Sequence, residues 1–186
     1  FLIGAIFFAI EFMHPLQKGP HISRVHLDGV LFDDPIRLQA LSKLTEDDDV
    51  KSVLLKINSP GGTVVGSEAL YLAVAEMAAS KPVIALLGET AASGGFLVAL
   101  AADHILARNN TLTGSIGVIV ENQNFFQLSE KLGISLETVK SGELKGGQNP
   151  IAPPNEAVKI NNEALVRFSF DWFLSLVRKE RNVSAQ

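Results

Sequence analysis

One serine and two lysines are the residues in this chain whose types and spacing best fit a chemical reaction. Ser93 stands among small residues and precedes an apolar helical run at 96–102. This placement puts its hydroxyl at the start of a helix, where unbonded backbone N–H groups and the helix dipole favour a developing negative charge. Lys140 and Lys145 follow later in the chain, and no histidine is well placed to act as a base.

A turn with two glycines supplies a second part of the same chemistry. The segment Asn58-Ser59-Pro60-Gly61-Gly62 follows an apolar strand, and its glycines let the backbone turn tightly and present an amide to a substrate carbonyl. We expect the oxyanion donors to be the backbone N–H groups of Gly94 and of the glycine pair, with Gly62 favoured over Gly61. The Ser93 segment alone is equally consistent with a helix-capping hydroxyl.

A serine hydroxyl becomes a good nucleophile only when a neighbouring base takes its proton. A lysine amine can take it only when the amine is neutral, and the ordinary lysine pKa of about 10.4 leaves the side chain charged at pH 7. Burial in apolar surroundings lowers the pKa of a lysine. A serine–lysine mechanism therefore requires a lysine that is shielded from water.

The composition limits the class of protein. The chain has 186 residues, 47% of them hydrophobic, which is enough for one substantial core. Its net charge of −4 comes without a basic stripe, which argues against a nucleic-acid partner. The absence of cysteine excludes disulfides, iron–sulfur clusters and thiolate zinc sites. The acidic run at 46–49 lacks calcium-loop spacing, so we expect a solvated loop there and no metal site.

Apolar strands alternate with helices along the chain, separated by glycine-bearing turns. This alternation predicts an α/β fold, a mainly parallel sheet covered by helices, with both reactive turns at the carboxyl ends of strands. We predict strands at 22–31, 52–57, 82–87, 104–107, 117–120 and 135–140, and helices at 35–44, 65–79, 96–102, 124–132 and 155–181. The last helix is apolar around much of its circumference, so we expect it to be buried or to form half of a subunit interface.

Four segments, in this order, resemble the signal peptide peptidase A (protease IV) family. They are Asn-Ser-Pro-Gly-Gly at 58–62, Ala-Ser-Gly-Gly at 92–95, Thr-Gly-Ser-Ile-Gly-Val at 113–118 and Lys-Ser-Gly-Glu-Leu-Lys at 140–145. Members of that family are serine peptidases with a Ser/Lys dyad on the Clp-protease/crotonase superfamily fold. The resemblance runs from about residue 22 to the end of the chain and implies the repeated β-β-α units of that fold.

The resemblance implies roles for four side chains. Ser93 is the nucleophile, and the second lysine of the family pattern, here Lys145, is the base. Lys140 then has a structural or substrate-edge role. Ser115 helps to position and deprotonate the lysine amine, with a plain turn serine as the alternative interpretation. Where the family often has Asp or Ser after the base, this chain has two glycines.

The family also suggests where the protein works and on what. Its members degrade remnant signal peptides and other short hydrophobic peptides, need no cofactor and assemble into homo-oligomeric rings, in which serine and lysine can come from neighbouring subunits. We therefore expect a serine endopeptidase held in the cytoplasmic (inner) membrane by a single N-terminal helix, with the peptidase domain outside the bilayer.

The chain is expected to contain three segments. Residues 1–16 are apolar up to residue 13 except for Glu11 and are interpreted as the remnant of a membrane anchor, with an interfacial or core helix and a signal-peptide segment as alternatives. Residues 17–21 are a linker, and residues 22–186 are the peptidase domain. Since family members usually continue further, we expect this domain to lack its last C-terminal segment.

Other mechanisms fit parts of the pattern. Clp proteases share the Ser-Pro-Gly-Gly turn but use Ser/His/Asp, and Val118 stands where their histidine would be. His104 lies closer to the serine but is better explained as a histidine at a strand edge. An acyl-CoA enzyme of the crotonase type would use the two amides without the serine and lysine. An inactive scaffold subunit of the same fold is the remaining alternative.

Overall fold

The computed structural model of the protein describes residues 19–182. The chain forms two compact units, the first ending at Gly114 and the second beginning at Ser115. The predicted anchor remnant at 1–16 and the start of the linker lie outside the described residues. Within 19–182, none of the helices combines the length and the apolar character that crossing a membrane requires.

The first unit is built around a parallel sheet. Each of its strand pairs is parallel, in the order β1-β2-β3-β4, while β5 pairs with β3. The prediction of an α/β fold with a mainly parallel sheet is therefore confirmed. The elements are β1 (His21–Leu31), α1 (Pro35–Glu46), β2 (Val50–Gly62), α2 (Val64–Ser80), β3 (Val83–Ala92), α3 (Gly94–Ala99), β4 (His104–Leu106) and β5 (Leu112–Gly114).

The helices that flank the sheet begin where the sequence supplies caps. The Asp34 carboxylate accepts from the amides of Ile36 (3.0 Å) and Arg37 (3.2 Å), and proline takes the first helical position, where no amide donor is needed. The Thr63 hydroxyl accepts from Gly66 N at 3.1 Å and caps α2. Since Thr63 directly follows β2, this cap sets the direction in which the chain leaves the glycine turn.

The core of the first unit lies between the sheet and its helices. Buried residues alternate with more accessible ones along most of β2 and β3, and α2 contributes a buried stripe at helical spacing. Burial of this apolar surface stabilises the strand ends that carry the two reactive turns. Core side chains from the strands and helices include Leu27, Leu41, Leu55, Ile57, Leu70, Val74, Val83, Ala85 and Val98.

The second unit is helical and differs from its prediction. Its elements are α4 (Phe126–Lys131) and α5 (Glu156–Arg181), and the Asn155 side chain caps α5 by accepting from Val158 N at 3.1 Å. The strands predicted at 117–120 and 135–140 are wrong, because the described part of this unit contains no strand. Ile119 and Val139 are 79% and 96% exposed, and without a neighbouring strand their apolar runs have no ladder to join.

The long helix α5 is only partly covered. Val158, Phe173 and Val177 are buried, whereas the apolar Leu165 and Phe168 are exposed. Burial is therefore confined to part of this helix, and most of its exposed residues are polar or charged. The expectation that the helix forms half of a subunit interface stays a prediction.

Candidate active site

Ser93 connects β3 to α3 in a strained turn. Its backbone has φ 50° and ψ −120°, a conformation that L-residues with a side chain rarely adopt. The residue occupies the N-cap position of α3, yet its side chain makes no capping hydrogen bond. The capping interpretation of this hydroxyl is therefore not supported by the geometry. The partly exposed side chain stands at the end of a buried strand, where parallel sheets bind their ligands.

The glycine turn at the end of β2 lies directly against the Ser93 turn. Gly61 has φ 116°, a region open only to glycine in practice. A Cβ atom at Gly61 would lie 2.9 Å from the Ser93 Cβ and 3.0 Å from the Gly94 nitrogen. Two turns that are distant in sequence thus approach so closely that no side chain fits between them.

The amides of Gly62 and Gly94 lie together beside this contact. Thr63 N–H donates to the Leu31 carbonyl at 2.9 Å, and alternate amides of a strand point to opposite sides, so the Gly62 N–H points away from β1. A Cβ at Gly94 would lie 3.3 Å from the Gly62 nitrogen. Gly94 is the first residue of α3, where the amide has no carbonyl partner within the helix.

Two residues that the sequence reasoning did not single out hold this arrangement. The Asn58 side chain accepts from Thr90 N at 3.1 Å and bridges the irregular register between β2 and β3. The Ser59 hydroxyl is fully buried and accepts from Gly61 N at 3.1 Å. Both lie in the Asn-Ser-Pro-Gly-Gly segment, so the motif was the signal that could have identified them. They tie the glycine turn to the strand that carries the serine.

Strand β5 supports the nucleophile turn from the other side. The Gly114 carbonyl accepts from Ser93 N at 2.8 Å, and the Thr113 hydroxyl donates to the Ala91 carbonyl at 2.9 Å. The segment that leads to Ser115 is thus hydrogen-bonded to β3 as far as Gly114. Ser115 follows as the first residue of the second unit, with φ 50° and an exposed side chain.

Both lysines lie in the second unit. Lys145 belongs to a turn-rich segment in which its amide donates to the Gly142 carbonyl at 3.2 Å, and its side chain is exposed, as is that of Lys140. The structure therefore brings Ser93, Gly61, Gly62 and Gly94 together within the first unit. The roles given to Lys145 and Ser115 stay predictions.

His104 and the acidic run at 46–49 are the residues on which two other interpretations would depend. His104 is exposed at the start of β4, where it pairs with Ile84, as expected for a histidine at a strand edge. Residues 47–49 form an exposed turn after α1. Among residues 19–182, no group of three or more His, Asp or Glu side chains is arranged to hold a metal ion.

The sequence matches the models of two known protein families. The family model of Peptidase family S49 matches residues 75–186, more than half of the chain, and includes the Ser93 turn and both lysines. The chain belongs to peptidase family S49. The Clp protease model matches residues 36–112, which include β2, β3, β4 and the glycine turn of this S49 member. The resemblance to the signal peptide peptidase A family is thereby confirmed.

Named relatives agree with the S49 assignment. A suspected signal peptide peptidase SppA of Enterococcus faecium is 40% identical over 150 residues, 78% of this chain and 43% of that protein. A suspected protease of Methanocaldococcus jannaschii is 36% identical over 147 residues, 79% of this chain and 47% of its own. Protease 4 of Haemophilus influenzae is 35% identical over 147 residues, 77% of this chain and 23% of that protein. The chain thus spans less than half the length of each of these relatives.

Proposed function

We propose that this S49 member is a serine endopeptidase with Ser93 as its nucleophile. The observation that carries the proposal is the position of Ser93. Its backbone is strained, its hydroxyl makes no capping hydrogen bond, and it lies beside Gly62 and Gly94. Strain of this kind persists only where the surrounding structure enforces it, and it is concentrated at functional sites. The tight contact with Gly61 supplies that enforcement.

The reaction divides into two acyl transfers. The Ser93 Oγ attacks the carbonyl carbon of the scissile peptide while its proton passes to the neutral amine of Lys145. The carbonyl oxygen becomes an oxyanion that accepts hydrogen bonds from the N–H groups of Gly62 and Gly94. When the C–N bond breaks, the leaving amine takes the proton from Lys145. Water then attacks the acyl-enzyme by the same route, and Ser93 is regenerated.

The role of base that we give to Lys145 requires a neutral amine, and burial away from water favours the neutral form of a lysine. In the single chain its side chain is exposed. We infer that assembly into a homo-oligomeric ring covers Lys145, with Ser115 helping to hold its amine. Exposed apolar residues in the second unit, including Val139, Leu144 and Phe168, support burial of this unit against other subunits.

The substrates that we propose are remnant signal peptides and other short hydrophobic peptides. This class follows from the S49 relationship and from the name of the Enterococcus faecium relative. Anchoring in the cytoplasmic membrane by one N-terminal helix is part of the same proposal, with residues 1–16 as the remnant of that anchor. Peptides of this kind would reach the enzyme at the membrane surface from which they are released.

A fluorophosphonate probe tests the nucleophile directly. We expect mass spectrometry to find the adduct on Ser93, and we expect Ser93→Ala to abolish both labelling and peptide cleavage. Ser42→Ala is the matched control, because Ser42 is exposed on α1, away from the site. Wild-type turnover in Ser93→Ala would end the serine-peptidase proposal. A folded wild type with neither label nor turnover would favour an inactive scaffold or an acyl-CoA enzyme instead.

A further inference from the structure

The hydroxyl of Ser67 has no part in the chemistry described above. Ser67 lies near the start of α2 and is 3% exposed. Within the described part of the chain, its Oγ has no hydrogen-bond partner. A buried hydroxyl without a partner destabilises a fold, and alanine at the same helical position would avoid that penalty. The presence of a hydroxyl here therefore requires an explanation.

The usual hydrogen-bond partner of a serine side chain within a helix does not explain this hydroxyl. Serine side chains inside helices commonly donate to the carbonyl four residues earlier. For Ser67 that carbonyl belongs to Thr63, which accepts the Ser67 backbone amide at 3.0 Å, while the Ser67 hydroxyl makes no such bond. The hydroxyl is directed to a different neighbour.

That neighbour is Gly94. A Cβ atom at Gly94 would overlap the Ser67 Oγ, and it would lie 2.9 Å from the Ser67 Cβ and 3.3 Å from the Gly62 nitrogen. The Ser67 side chain thus packs against Gly94 on the side of that glycine that also faces the Gly62 nitrogen. The unpaired hydroxyl lies beside the same two glycines whose amides flank Ser93.

We propose that the Ser67 hydroxyl is a third hydrogen-bond donor to the substrate carbonyl oxygen, together with the amides of Gly62 and Gly94. This inference rests on the proposed peptidase function. The Ser67 Oγ has almost no accessible surface in the structure, so contact with an oxygen held by the two amides requires the Ser67 side chain to rotate towards that oxygen.

The contribution of Ser67 falls mainly in the transition state. As the carbonyl oxygen becomes an oxyanion, a neutral hydrogen bond becomes a charge-assisted one and strengthens. An interaction that strengthens in this way raises kcat and leaves the binding of the ground-state peptide nearly unchanged. Ser67 would therefore raise kcat although its unpaired hydroxyl lowers the stability of the fold. This explains why a hydroxyl is found on an otherwise apolar helix face.

Ser67→Ala in the full chain tests the proposal, with Ser80→Ala as its control. Ser80 lies on the same helix, but its hydroxyl already donates to the Met77 carbonyl at 3.0 Å. We expect Ser67→Ala to lower kcat by about 10- to 100-fold, since one oxyanion donor contributes at most about 10²–10³. We expect its KM to stay within about twofold and its Tm to stay equal or rise. Ser80→Ala should keep the wild-type kcat.

A peptide aldehyde supplies a readout that a structural role would not change. Its adduct with Ser93 carries the tetrahedral oxygen, so its Ki for Ser67→Ala should rise by the factor by which kcat/KM falls. Ser67→Cys retains a weak donor and should be intermediate in both measurements. Should Ser67→Ala fail to fold, the Cys variant decides, and a wild-type kcat in it overturns the proposal.

The outcomes separate this inference from the proposed function. Wild-type kcat and wild-type aldehyde Ki in a folded Ser67→Ala overturn the role of Ser67, provided that Ser93→Ala is inactive. Turnover in Ser93→Ala would instead overturn the peptidase proposal itself. A fall in kcat with a matching fall in Tm would assign Ser67 a packing role and would also refute the third donor.

Discussion

Gly61→Ala is the substitution whose effect follows most directly from the geometry of the site. The backbone at Gly61 has φ 116°, and holding alanine there costs about 1–3 kcal/mol of strain. The added methyl would lie 2.9 Å from the Ser93 Cβ and 3.0 Å from the Gly94 nitrogen, closer than ordinary contact. Overpacking of this kind costs a further ~1–3 kcal/mol. We expect a loss of roughly 2–6 kcal/mol in the free energy of unfolding.

Gly133→Ala provides the matched control. Gly133 also has a positive φ, 69°, but a Cβ there would meet nothing within 4 Å. Only the left-handed backbone penalty of about 1–2 kcal/mol applies. Urea unfolding of both variants measures the difference, and peptide cleavage measures the consequence for Ser93. We expect Gly61→Ala to lose activity even where it remains folded, because relief of the contact displaces Ser93 or the Gly94 amide. Equal stabilities of the two variants, or full activity in folded Gly61→Ala, would contradict this prediction.

Three further predictions concern the proposed dyad and its support. Lys145→Ala and Lys145→Arg should both be inactive, since a guanidinium cannot give up its proton, whereas Lys140→Ala should keep measurable cleavage; the reverse result would move the base to Lys140. If neighbouring subunits complete each site, mixing Ser93→Ala with Lys145→Ala under subunit exchange should restore part of the activity, and demonstrated exchange without recovery would exclude a shared site. Ser59→Ala should lower the free energy of unfolding by about 1–3 kcal/mol, read from urea unfolding, because a buried amide loses its acceptor.

The elements of the first unit were largely predictable. The strand expected at 22–31 is His21–Leu31, and the helix expected at 65–79 is Val64–Ser80. Periodicity and caps determine such elements locally, so a single sequence contains the necessary information. Strand ends were less predictable: β2 and β3 extend past their apolar runs into the reactive turns, because pairing with a neighbouring strand continues there.

The second unit shows where this reasoning fails. Apolar alternation at 117–120 and 135–140 indicated strands, but a strand also needs a partner at the right distance, and local pattern cannot supply one. Conversely, β5 is only three residues long and carries no periodic signal, yet Leu112–Gly114 pairs with β3 beneath the nucleophile turn. The exposure of Lys145 could not be predicted from the sequence either, since burial depends on what packs around a residue.

The kinds of group available can be read directly from the residues: a serine among small residues, two glycines able to turn after a strand, and lysines in a family-specific order. These are properties of residue type and of the local backbone, which neighbouring residues dictate. Three contacts come instead from the packing of distant segments: the Gly61 turn touches Ser93, Gly94 approaches the Gly62 nitrogen, and the Ser67 hydroxyl is buried against Gly94 without a partner. Those distances depend on the parallel pairing of β2 with β3 and on how α2 packs over their ends, and such long-range contacts are established by the fold as a whole.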